Sequence, residues 1–287
     1  MILHDSLTVE YVGTSRTAFI NIPIGRRIHY IGLEYGNTAD AAFDAANNLG
    51  DIRVLINDNV QREHTAGELN DIQKCLRPHY AVRVINSATA GADRTIIPIF
   101  FADPGAKLYR DQQGAALTTN WMRSMRVEVD MGSQAGGSLS AFYAFDDVTS
   151  KDVPFITKIK RVDYDVNASI KDITNFDRSE LYRQISFYNP TTGTITRVQV
   201  KHFGRDAYDL TRNQQAGVNQ HLYDFNEAAS ILSDDLYTAG VFHIPFDGSG
   251  AVNDSMPGAG LEKIKLTFSA ASTGYVRTLQ QKVGLPD

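Results

Sequence analysis

The stretch Met125-Arg-Val-Glu-Val-Asp-Met131 decides the fold class, because apolar Met125, Val127, Val129 and Met131 alternate with charged Arg126, Glu128 and Asp130. A period of two places the first set on one face of a strand and the second on the other, one face buried and one solvated. The same alternation returns in Arg161-Val-Asp-Tyr-Asp-Val166, Arg197-Val-Gln-Val-Lys201 and Lys263-Ile-Lys-Leu-Thr-Phe268. Between such runs stand Ala102-Asp-Pro-Gly105, Asn189-Pro-Thr-Thr-Gly193 and Asp247-Gly-Ser-Gly250, whose residues tolerate turn dihedrals. Many short antiparallel strands follow, in both halves of the chain.

Helices are few. Thr65-Ala-Gly-Glu68 is a capping box, in which the Thr65 hydroxyl accepts from the Glu68 amide while the Glu68 side chain reaches back. It predicts a helix near 66–76, ended by Pro78. Asn226 is placed to cap a helix over Glu227 to Leu236, and the Ala-rich segment 39–49 to form a turn or two before Gly50. No helix alternates regularly with strands, which argues against a parallel α/β sheet.

The halves echo each other. Ile52-Arg-Val-Leu-Ile56 matches Thr196-Arg-Val-Gln-Val200, Ile97-Pro matches Ile244-Pro, and Met125-Arg-Val-Glu-Val129 matches Ile264-Lys-Leu-Thr-Phe268, at offsets of 144, 147 and 139. Near-constant offsets of half the chain point to duplicated β-units joined near the polar segment Asp146 to Lys151.

The chain has 287 residues, 43% hydrophobic, enough for a sizeable core. Its 28 basic and 33 acidic residues leave a net charge of -5 with no Lys/Arg run, which speaks against direct nucleic-acid binding. Cys75 is the single cysteine, so no intrachain disulfide or multi-cysteine zinc site forms. The start, Met1-Ile-Leu-His-Asp-Ser-Leu7, has neither the basic nor the apolar region of a secretory signal, and a protein soluble when made is expected.

Motifs for chemistry are sparse. The seven histidines include no pair at i+2, i+3 or i+4, so the His-x-His of a metal-binding cupin is missing. Nucleophile-elbow, phosphate-loop and dinucleotide fingerprints are absent as well. Glu128 and Asp130 share a strand face as in the Glu-x-Asp-x-x-Glu of β-sandwich glycosidases, but the third position is Ser133. Asp163 with Asp165, and the doublets Asp146-Asp147 and Asp234-Asp235, read as solvated surface before they read as cation ligands. Cys75 in the expected helix is a small packed residue as readily as a nucleophile, and Trp121 serves core packing or a subunit contact equally well.

Against this background one resemblance stands out. Ala18-Phe-Ile-Asn-Ile-Pro-Ile-Gly-Arg-Arg-Ile-His-Tyr-Ile-Gly-Leu-Glu-Tyr35 resembles the opening strands of the major capsid proteins of corticoviruses, tailless icosahedral phages with an internal membrane. Gly50-Asp-Ile-Arg-Val-Leu-Ile-Asn-Asp-Asn59, Gly67-Glu-Leu-Asn-Asp-Ile72 and the Met125 strand with its Gly-rich sequel to Phe142 follow in the same order, so the likeness covers most of residues 15–145. The second half is similar mainly in strand order and length, and 202–225 and 247–260 do not align.

The resemblance implies an all-β double jelly roll: two tandem eight-stranded sandwiches, 1–147 and 148–287, with a few short helices in loops. It implies a homotrimeric, pseudo-hexagonal capsomer that meets neighbouring capsomers, vertex and minor capsid proteins and an internal viral membrane at the shell base. No catalysis is implied, and the place would be the virion capsid, assembled in the host cytoplasm. Some relatives bind calcium, yet no matched motif assigns ligands here. Phe19, Ile22, Ile24, Val54, Ile56, Val127, Val129, Val198, Val200, Ile264, Leu266 and Phe268 are the expected core positions. A two-domain carbohydrate- or receptor-binding β-sandwich of spike or lectin type is the alternative, and a jelly-roll glycosidase using Glu128 comes third.

Overall fold

The computed structural model describes residues 2–37, 48–76, 83–85, 94–102, 116–133, 136–148, 155–223, 241–246 and 255–287. The first half carries β1 (Leu3–Leu7), β2 (Val9–Glu10), β3 (Thr17–Asn21), β4 (Arg27–Asn37), β5 (Leu49–Ile56), β6 (Asn59–His64), α1 (Ala66–Leu76), β7 (Arg83–Ile85), β8 (Arg94–Phe100), β9 (Leu117–Thr118), β10 (Met125–Met131) and β11 (Gly137–Asp146). The second carries β12 (Ile156–Val166), β13 (Ile170–Ile173), β14 (Leu181–Phe187), β15 (Ile195–His202), β16 (Arg205–Thr211), α2 (Arg212–Tyr223), β17 (Phe242–Pro245), β18 (Met256–Pro257), β19 (Leu261–Phe268) and β20 (Gly274–Gly284).

Each half folds as one jelly roll. One sheet of the first runs β1-β11-β4-β8-β7 and its second sheet runs β6-β5-β10-β3-β2. The second half repeats the order, β12-β20-β14-β17 in one sheet and β16-β15-β19-β13 in the other. Even the short extra strands correspond: β9 pairs with β4 as β18 pairs with β14. In both halves the inward faces of the two sheets close on an apolar cluster, around Ile20, Ile31, Val54 and Val127 in the first and Ile185, Val200, Ile264 and Val276 in the second.

The rolls are not separate sandwiches. The outer strand β6 of the first pairs in parallel with the outer strand β12 of the second, through Arg62 and Ile159, and so fuses two sheets into one of ten strands. Pairing at this seam covers two edges that would otherwise expose unpaired backbone groups.

The duplication holds to the level of the hairpin. Asn57 and Asp58 turn β5 into β6 with φ of 50° and 68°, and Phe203 and Gly204 turn β15 into β16 with φ of 46° and 72°. Left-handed dihedrals at both central positions make turns whose twist matches the strands. Both hairpins slip register at the same place, after Val54↔Arg62 and after Val200↔Tyr208. A capping box follows each: Thr65 with Glu68, and Thr211, whose amide donates to the Gln214 side chain at 2.9 Å.

The true correspondence differs from the one that the strand text suggests. Pairing partners align Val54 with Val200, Val127 with Ile264 and Phe100 with Pro245, at offsets of 146, 137 and 145. Each sequence offset is wrong by two residues, a slip that keeps every side chain on its own face and so leaves the pattern unchanged.

Most core expectations hold, since Ile22, Val54, Ile56, Val127, Val129, Val198, Val200, Ile264, Leu266 and Phe268 are buried. Two fail. Ala18 and Ile20 point into the core, so Phe19 between them lies on the outer face, half-buried edge-on to Tyr11 and beneath Arg126. Ile24 is 45% exposed, because strand β3 ends at Asn21 and the chain turns through Gly25 at φ 93°.

The expected helix near 66–76 is α1, whereas α2 begins at Arg212, well before Asn226. The expected helix over 227–236 lies outside the described residues, as does most of 39–49; Leu49 is already in β5. Trp121 packs partly buried against the first core cluster.

Candidate functional site: the inter-roll seam and an apolar end

Of the carboxylates singled out as possible chemistry, Glu128, Asp130, Asp163 and Asp146 belong to ion pairs. Arg53 on β5 reaches both members of the Glu128 and Asp130 pair, with Nε 3.3 Å from Glu128 and Nη2 2.7 Å from Asp130. Arg126 adds a bridge to Glu128 at 2.8 Å, and the Thr17 hydroxyl donates to Asp130 at 2.7 Å. The pair thus completes a cross-strand charge ladder. Asp163 meets Arg277, its direct cross-strand neighbour, at 3.1 Å, and Asp165 is exposed.

Asp146 corrects the reading of its doublet as solvated. It is 5% exposed, because it ends β11 directly opposite Arg27 at the start of β4. Burial would raise its carboxyl, but hydrogen bonds from Arg27, His29 and the Val148 amide outweigh that and hold it at about 2. Asp147 alone is solvated. Asp234, Asp235 and the Cys75 side chain lie outside the described residues. Among the described residues no group of three or more His, Cys, Asp or Glu side chains gathers in a way that could hold a metal ion.

The most elaborate polar geometry lies at the seam. Arg62 is fully buried there, its Nε donating to the Thr157 carbonyl across the seam and Nη1 to the Phe100 carbonyl, both at 2.7 Å, with the guanidinium 4.4 Å above the Phe101 ring. Burial, reinforced by nearby Arg183, lowers its basicity to about 9. Arg161 of β12 bonds Asp51 at 2.8 Å and Glu68 at 2.6 Å on the first roll. Tyr188 donates to Asp71 of α1 at 2.8 Å, and Lys158 and Lys282 share Glu180 at 2.7 and 3.1 Å. A cleft of about 320 Å³ opens beside these lysines, walled by Val60 and Gln61 from the first roll.

Two buried histidines escaped sequence reading, because a lone histidine carries no spacing signal. His64 and His243 are both wholly enclosed, and burial lowers each to about 3, His64 further under the charge of Arg62 and His243 under that of Arg212.

A second feature lies at one end of the rolls. Strands β4, β6 and β12 start at this end and β11 and β20 finish there. Its turns and flanks expose Ile24, Val60, Val148, Phe155, Phe203 and Leu285, between 44% and 70%. Strand pattern alone could not reveal this, since the residues lie in different turns that only the topology brings to one end. Among the described residues no helix is long and apolar enough to cross a membrane.

The comparisons agree with this architecture. The major capsid protein P2 of bacteriophage PM2 superimposes with a TM-score of 0.76 at 16% identity, covering 100% of this chain and 98% of that one. VP54 of PBCV-1 gives 0.68 at 13% identity, over 100% and 96%. The major capsid protein of Sulfolobus turreted icosahedral virus gives 0.65 at 13%, over 100% and 97%. No curated protein matches the sequence. Residues 4–145 match the family model described as viral coat protein P2 N-terminal domain. The first roll, residues 4–145, thus belongs to the family of viral coat protein P2 N-terminal domains, and the whole chain has the double jelly-roll fold.

Proposed function

We propose that this chain is the major capsid protein of a tailless icosahedral virus with an internal membrane, and that it acts by self-assembly rather than by catalysis. Its units are 1–147 and 148–287, and three chains close into a pseudo-hexagonal capsomer. Capsomers tile the shell, with vertex and minor proteins completing it and the host cytoplasm as the place of assembly. The observation that carries this reading is the repeat of the full jelly-roll strand order in both halves, in a chain whose residues 4–145 match the P2 coat N-terminal domain. Two like rolls per chain turn a threefold ring into six similar walls.

The apolar end supports the orientation toward lipid. Six large apolar side chains exposed at one end, Phe155 and Phe203 the most open of them, favour contact with a membrane surface or a partner.

Native mass spectrometry and negative-stain imaging of the purified chain test the proposal. Three copies of the 31.7 kDa chain, about 95 kDa, seen as hexagonal particles, are expected. A monomer that binds glycans would overturn it in favour of a lectin-type sandwich.

A further inference from the structure

At one place the second roll buries charge where the first buries apolar side chains. A shared bulge fixes the correspondence: β4 skips His29 between the pairs Ile28↔Phe145 and Tyr30↔Ala144, and β14 skips Arg183 between Tyr182↔Lys282 and Gln184↔Gln281. The next strands extend both rows, to Leu3 on β1 and to Lys158 on β12. Leu3, Phe145 and Ile28 of the first roll are thus matched by Lys158, Lys282 and Tyr182 of the second. Ile28 and Phe145 are buried in the first core cluster with Leu3 packed against it, and Tyr182 is buried in the second. Lys158 and Lys282 are as enclosed as the residues they replace, their side chains 7% and 3% exposed. The fold does not call for them: like charges directly opposite each other are unfavourable, and burial adds to the cost.

What the two lysines hold is acidic. Glu180 bridges them, and Gly284 makes room for it, since a Cβ there would lie 3.0 Å from the Glu180 Cγ. One carboxylate cannot neutralise both. Exposed Asp177 lies 3.7 Å from Lys282, and Asp287 accepts from Lys158 at 2.5 Å. Burial opposes the charge on Lys158, but its hydrogen bonds to Asp287 and Glu180 outweigh that and raise its basicity. The main chain of Asp287 is held as well. Its carbonyl accepts from the Asn59 side chain at 2.8 Å, and its amide donates to the Gln61 side chain at 3.2 Å. The acid of one residue is therefore read by the second roll while its backbone is read by β6 of the first. Main-chain bonds combined with a pocket for a side chain are how an extended peptide is recognised.

We propose that the cleft beside Lys158 and Lys282 is a binding site for an acidic chain segment, and that residues 285–287 fill it as a strap that latches the second roll to the first. The strap leaves the sheet where β20 ends at Gly284 and crosses to Asn59 and Gln61 on β6. The catch is buried and the latch is open, with the Asp287 side chain 65% exposed against 7% for Lys158. The strap can therefore leave its catch without unfolding either roll. Leu285 on the strap, and Val60 between its two anchors, both belong to the exposed apolar end, so a surface that packs there meets latch and catch together. The latch acts within one chain and does not depend on the capsomer reading.

Carbodiimide, which joins amines to carboxylates in direct contact, tests the strap on the full-length chain, with the links read by peptide mass. A Lys158 to Asp287 amide is expected beside a Lys263 to Asp172 amide, whose groups lie 3.2 Å apart on the surface. The surface link without the strap link would overturn the assignment. Hydrogen exchange reads the latch. In Asp287→Asn the amides of Asn59–His64 are expected to exchange about fivefold faster or more than in the parent, while those of Ile195–His202 keep their rates. Equal rates in β6 would show a strap that ties nothing. A labelled, amidated Val-Gly-Leu-Pro-Asp peptide at millimolar concentration probes the cleft itself. Binding is expected to Asp287→Gly and not to Asp287→Gly with Lys158→Leu, which installs the first roll's residue at that place. Equal binding to the two, or binding to neither, would overturn the site.

Discussion

Glu68 and Arg161 meet across the seam at 2.6 Å through the same Glu68 oxygen that accepts the Thr65 amide at 2.8 Å. One carboxylate therefore caps α1 and holds the second roll. Glu68→Ala removes the cap and strips the largely buried Arg161 of a partner, at an expected cost of about 3 kcal/mol. Glu68→Gln keeps the cap, as Gln214 does in the second roll, and isolates the seam contribution. Urea unfolding of the two variants separates the two parts: the loss in Glu68→Gln reads the seam pair, and unchanged stability in that variant would show that the seam pair adds nothing.

Acid should unfold the chain in two stages. His64 titrates near 3 in the folded state against an ordinary 6.5, so the unfolded chain binds the extra proton. Its contribution is intact above pH 6.5 and is lost as pH falls toward 3, with His243 acting in the same sense. Asp146, at about 2 against 3.8, loses its contribution only below about pH 4. His64→Leu installs the residue that the second roll has at the matching position, Leu210, and should flatten the decline between pH 6.5 and 3. Urea midpoints across that range check it.

Val127 and Val129 lie at 0% exposure in the middle of β10, paired with Val54 and Ile52. Val127→Asp together with Val129→Asp buries two unpaired carboxylates and should abolish soluble protein, because desolvating each costs several kcal/mol. Recovery of soluble, cooperatively melting chain would refute the strand assignment.

A Cβ at Gly258 would collide with the Asp177 and Glu180 carbonyl oxygens, backbone atoms that cannot swing aside. Gly258→Ala should therefore destabilise by about 1–3 kcal/mol, read as a lower melting temperature. The loop it displaces carries Glu180, so disruption of the Lys158 and Lys282 pairs should accompany the loss.

Strand text announced the all-β fold because period-two burial, as in Met125 to Met131, survives any tertiary context that buries one face. It could not set the alignment of the halves, since a two-residue slip is invisible to that period, nor the phase of β3, where Ala18 rather than Phe19 points inward. The capping pattern Thr211-Arg-Asn-Gln214 was present and marks α2, but its apolar content is too low to draw attention beside α1. Asp146 looked solvated because its partners Arg27 and His29 lie more than a hundred residues away. The seam and the apolar end depend on topology, which no local pattern encodes.

The first roll's apolar cluster includes Ile156, Ile159 and Leu279, supplied by the second. A ribosome delivers residue 145 well before residue 279, so the nascent first roll waits with part of its wall missing. Completion of the chain, rather than completion of its first half, is therefore the event that seals the first roll's core.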